Sequence, residues 1–80
     1  KKNEYFSKSY DILIEGYEKN KIHDFLFLLA KLSYDYKFNL YDGLDHLNEF
    51  IRDYNNESSK YSLQEAIDLK QDFNDLTENL

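Results

Sequence analysis

KIHDFLFLLAKLSYDYK, from Lys21 to Lys37, decides the fold of this 80-residue chain. Ile22, Phe25, Leu26, Leu29, Leu32 and Tyr36 recur at spacings of three and four, the period of one helical face. Phe27, Ala30 and Tyr34 add a second apolar strip, which leaves Asp24, Lys31 and Asp35 as a narrow polar side. A helix apolar over most of its circumference has to be covered from several directions. The stretch therefore predicts a central helix.

The flanking segments supply the cover. Over about 3–18, Phe6, Tyr10, Leu13, Ile14 and Tyr17 share one helical face. Lys19, Asn20 and Lys21 interrupt it, with Asn20 expected to cap the central helix. Beyond the central stretch, Asn39 reads as a cap, with Asp42 three residues on, for a helix to about Tyr54. Its buried face is Leu40, Leu44, Leu47, Ile51 and Tyr54. Residues 55–60 are polar and turn-rich, and Ser62 with Glu65 then forms a capping box. Tyr61 is placed to staple onto Ala66, and the fourth helix is expected to bury Ala66, Leu69, Phe73, Leu76 and Leu80.

The chain has no Pro, two Gly and few β-branched residues, so nothing favours a sheet. Gly16 is expected to mark a close helix approach or an early end of the first helix. Short connections favour antiparallel neighbours. The expectation is an all-α fold, a compact antiparallel bundle of four helices forming one domain over 1–80, with the second helix central. A core this small buries roughly 60% of the unfolded surface. Aromatic residues at 18% of the chain compensate, because each brings a large apolar area.

Composition removes several classes of function. Without Cys there is no disulfide staple and no thiolate zinc site. The longest apolar run, Phe25 to Ala30, is far short of the ~20 residues of a membrane span. No basic-then-apolar leader precedes a small-residue cleavage site. The expectation is a cytoplasmic protein with no membrane partner.

Charge is the informative feature. Residues 1–40 hold seven Lys against six acids, whereas residues 41–80 hold three bases against ten acids. Asp42, Asp45, Glu49 and Asp53 form one row on the third helix, and Glu65, Asp68, Asp72 and Asp75 form another on the fourth. Like charges at i,i+4 cost a helix roughly 0.2–0.5 kcal/mol per pair, so the rows do not serve helix stability. Neighbouring carboxylates lie about 5–6 Å apart on such a face, a spacing comparable with phosphates along a nucleic-acid strand. Two readings stand: a docking surface for a basic protein partner, as a nucleic-acid mimic would offer, or a solubilising face.

Chemistry of other kinds finds little footing. His23 and His46 lie on different helices, near Asp24 and near Asp42 and Asp45, but in no His-x-x-x-His or Glu-x-x-His pattern. No metal ligand and no cofactor is expected. There is no Cys nucleophile, Gly-rich phosphate loop or Gly-x-Ser-x-Gly elbow, so no catalytic residue is expected either. The second and third helices have a helix-turn-helix outline, whose reading helix would present Tyr41, Asp42, Asp45 and His46 with only Lys37 and Arg52 as nearby bases. Carboxylates would then face phosphates, so direct nucleic-acid binding is the weakest of the readings.

Tyr5, Ile12, Tyr41 and Phe50 fall off the main stripes and would form a homodimer seam if they gathered into one patch. The functional expectation is a non-enzymatic interaction module. Its leading form is an inhibitor, immunity or antitoxin-like protein, or a phage accessory protein, docking on a basic surface. The alternative is a self-associating structural or regulatory subunit.

Overall fold

The structure, a computed structural model, describes residues 2–78. The chain forms four α-helices: α1 (Lys2–Asn20), α2 (Asp24–Tyr36), α3 (Leu40–Arg52) and α4 (Leu63–Glu78). The all-α bundle expected from periodicity is what these helices build, and α2 touches each of the other three. α3 also packs on α4, whereas α1 makes its close backbone approach to α2 alone among the described helices. Leu80, expected in the core, lies outside the described residues.

Leu26, Phe27, Leu29 and Ala30 of α2 are buried, together with Phe6, Leu47, Phe50, Ala66, Leu69 and Phe73 from the three surrounding helices. Full burial of a Leu or Phe side chain contributes about 1.5–3 kcal/mol, so this central run supplies much of the driving force. Ile22 does not share in it. Lys21 adopts the left-handed conformation, φ 54°, and α2 begins only at Asp24, so Ile22 sits in the intervening turn at 50% exposure.

Asn20 likewise belongs to α1. Its side-chain amide donates to the Gly16 carbonyl at 3.2 Å, and His23 occupies the cap position of α2. Gly16 marks the close approach: a Cβ there would stand 3.2 Å from the Phe25 ring.

The turn from α2 to α3 needs no glycine, although its backbone is of a kind glycine favours. Lys37 takes φ 54° at the end of α2, and the Lys37 and Phe38 amides donate to the Tyr34 and Ser33 carbonyls, a Schellman arrangement. Lys37 Nζ folds back onto the same end, donating to the Tyr34 carbonyl at 2.8 Å and lying over the Tyr34 ring. Phe38 then seats edge-on against Phe6 of α1 at 4.9 Å. Asn39 holds the cap position of α3 with φ 51° but makes no side-chain cap bond.

At α4 the capping box forms in full. The Glu65 amide donates to Ser62 Oγ at 3.0 Å and the Ser62 amide to Glu65 Oε2 at 2.8 Å. Tyr61, just before it, stacks on Phe27 at 4.5 Å, which ties the start of α4 to the central helix. A second tie crosses 35 residues: Asp24 accepts from Ser59 Oγ at 2.6 Å and from the Lys60 amide at 2.9 Å. The longest connection is thus pinned to the first residue of α2.

Candidate protein-interaction surface

The acidic row of α4 is positioned by the packing of that helix. Ala66, Leu69 and Phe73 point into the core, so Glu65, Asp68 and Asp72 emerge along the flank facing α2. They rim a shallow groove of about 240 Å³ whose other lining residues are Phe27, Leu69 and Lys31. Lys31 is turned to its own helix, pairing with Asp35 at 3.3 Å. Among the described residues no ion pair neutralises Glu65, Asp68 or Asp72, although Glu65 serves the capping box and Asp68 accepts from Gln64. Asp75 accepts from Gln71 at 3.0 Å.

The row on α3 has a different character. Arg52 Nη2 reaches Asp53 Oδ2 at 2.9 Å and Glu49 Oε1 at 3.6 Å, so one guanidinium brackets two of the four carboxylates. The hydrogen bond from Arg52 holds the Asp53 carboxyl below its ordinary range, and the same bond raises Arg52 above its own. Asp42 and Asp45 are exposed and carry no ion pair among the described residues. The two rows do not merge. Asp45 and Glu49 line a depression with Ile51, Arg52 and Lys70, on the other flank of α4 from the acidic groove.

His46 joins α3 to α1, with its Nε2 and the Tyr10 hydroxyl 3.1 Å apart. Burial lowers the His46 pKa from its ordinary value, against the opposing pull of Asp42, Glu49 and Asp45. Burial also raises the Tyr10 hydroxyl, with Asp42 and Asp11 acting in the same direction. His23 stacks on Phe50 at 5.0 Å, and its buried Nε2 has no hydrogen-bond partner. Among the described residues no group of three or more His, Cys, Asp and Glu side chains could hold a metal ion. None of their helices is long and apolar enough to cross a membrane.

The expected apolar seam requires correction. Phe50 is fully buried, packed against His23 just before α2, Phe27 of α2 and Tyr54 just after α3. Tyr5, Ile12 and Tyr41 are exposed, the first two on α1 and the third on α3, and those helices make no close backbone approach. Leu63 and Ile67, which the sequence reading does not single out, are exposed one turn apart on α4. Their i,i+4 spacing beside the main stripe was the available signal. The apolar floor of the acidic groove could not be anticipated, since it joins Phe27 to residues 38 or more positions away.

Comparison with protein-family models, with curated proteins and with solved structures finds no match to this chain.

Proposed function

We propose that this protein is a binding module without catalytic chemistry, which docks on a basic partner protein through the groove between α2 and α4. Supporting this reading, Glu65, Asp68 and Asp72 stand in a row over Phe27 and Leu69 with no cation paired to them among the described residues. Such a combination suits a partner segment that carries Lys or Arg around an apolar anchor. Charge steers the encounter and the apolar floor supplies the contact that lasts. The groove is smaller than the roughly 300–1,000 Å³ of small-molecule sites, which favours a few side chains of a protein as its occupant.

In this reading Asp42 and Asp45 extend the negative field, and Glu49 and Asp53 contribute less because Arg52 already engages them. A regular row of carboxylates is also what a nucleic-acid mimic presents. Inhibitors, immunity proteins, antitoxins and phage accessory proteins are the functional class that this surface fits. Direct nucleic-acid binding is disfavoured, since Lys37 and Arg52, the bases beside the helix-turn-helix outline, are engaged with Tyr34 and with Glu49 and Asp53.

The test is capture from the native host at low and high salt. A partner held at low salt, released at high salt and lost from an Asp68→Asn/Asp72→Asn chain is the expected result. Equal recovery at both salt concentrations would remove electrostatics from the mechanism.

A further inference from the structure

The flank of α4 turned toward α3 is unlike the acidic one. It carries Leu63, 38% exposed, and Ile67, 44% exposed, and its next turn brings Lys70 beside Ile51 of α3. The depression there is also lined by Asp45, Asn48, Glu49 and Arg52. Its charges balance, two carboxylates against two cations. In the α2/α4 groove three carboxylates face one Lys that is already paired. A chain of formal net charge −6 repels its own copies over most approaches, and the repulsion is weakest where local charge cancels.

The balance is also incomplete within one chain. Arg52 is engaged by Glu49 and Asp53. Lys70 and Asp45 line the same depression, yet neither has an ion-pair partner among the described residues. A two-fold interface satisfies such a pair reciprocally, because residue i of one copy meets residue j of the other and j meets i.

We propose that this α3/α4 face is the interface of a two-fold homodimer. Leu63 and Ile67 of one copy pack against the same flank of the second, and each Lys70 pairs with Asp45 of the other copy. The acidic groove, on the opposite flank of α4, stays open in this assembly. The dimer face and the groove share no lining residue, so failure of the dimer leaves the groove reading standing.

Sedimentation equilibrium across a concentration series is the test, with far-UV circular dichroism as the folding control. The wild-type chain is expected to show a monomer–dimer equilibrium, and Ile67→Glu to abolish it without loss of helicity. Asp45→Lys and Lys70→Glu each set like charges opposite one another twice and are expected to weaken the homodimer about tenfold or more. An equimolar mixture of those two variants regains association, since in the mixed dimer both pairs are again opposite in sign. A wild-type chain that is monomeric at every concentration would overturn the proposal. So would a dimer indifferent to Ile67→Glu, or a mixture no tighter than its separate components.

Discussion

Gly43 of α3 lies so close to Ser33 of α2 that a Cβ at Gly43 would stand 2.6 Å from Ser33 Cβ and 3.0 Å from Ser33 Oγ. Phe73 of α4 closes the same point, with its Cζ 3.1 Å from that position. Two small residues thus let the α2 and α3 backbones approach, and the α4 aromatic fills the remaining space. Gly43→Ala gains about 1 kcal/mol of helix propensity but forces a core overpacking of about 1–3 kcal/mol. A net loss of up to about 2 kcal/mol is expected in chemical denaturation. Ser33→Ala, in contrast, removes a fully buried hydroxyl that has no partner and keeps the Cβ, so it is expected to leave stability unchanged or raise it by up to about 1 kcal/mol.

Leu29 tests the central position of α2. The side chain is fully buried, and Leu29→Ala is expected to cost about 2–5 kcal/mol of unfolding free energy. A loss below 1 kcal/mol on the same measurement would mean that the bundle does not close around this helix.

Asp24 is the anchor of the 53–62 connection. Asp24→Ala removes the acceptor of Ser59 Oγ and the Lys60 amide, and a cost of about 1–3 kcal/mol is expected for these two bonds to a carboxylate. Hydrogen exchange at the Lys60 amide should accelerate, while the α4 capping amide at Glu65 keeps its protection. Uniform acceleration at both would show that the connection is not separately pinned.

The burial of His46 and Tyr10 makes stability depend on pH. Burial lowers the folded pKa of His46 below its ordinary value of 6.5, so the unfolded chain binds the proton more readily. Its contribution is therefore fully present above pH 6.5 and is lost as pH falls through the folded value. Tyr10 works in the other direction: its raised pKa keeps stability in place below pH 10 and loses it above. Thermal unfolding followed from pH 7.5 down to 5 is expected to show a smaller decline for His46→Gln than for the wild type. An identical decline in both chains would place the titration elsewhere.

Much of the fold was legible because local signals and burial coincide. The apolar girth of 25–36 announced the central helix, and Ser62 with Glu65 set the start of α4 through two bonds that a sequence pattern encodes. The errors arose where tertiary enclosure or backbone conformation overrode local pattern. Phe50 reads as a flank residue on α3 alone, but His23, Phe27 and Tyr54 close over it in the folded chain. Ile22 fit the stripe of α2, yet the left-handed Lys21 ends α1 and delays the next helix by two residues beyond it. For the candidate site, the carboxylate rows were evident from spacing. Their grouping was not: Arg52 engages part of one row, and helix packing sends the two rows to different depressions.

The central claim is that the α2/α4 groove recruits a basic partner electrostatically. Its most direct test is the association rate of the captured partner with the wild-type chain and with Asp68→Asn/Asp72→Asn, measured across a salt series. The account predicts a wild-type rate that falls steeply as salt rises, and a slower, flatter dependence for the variant, because steering charges act on encounter and are screened within about 10 Å at 0.1 M salt. A wild-type rate that does not change with salt, or a variant with the same rate and the same slope, would contradict it.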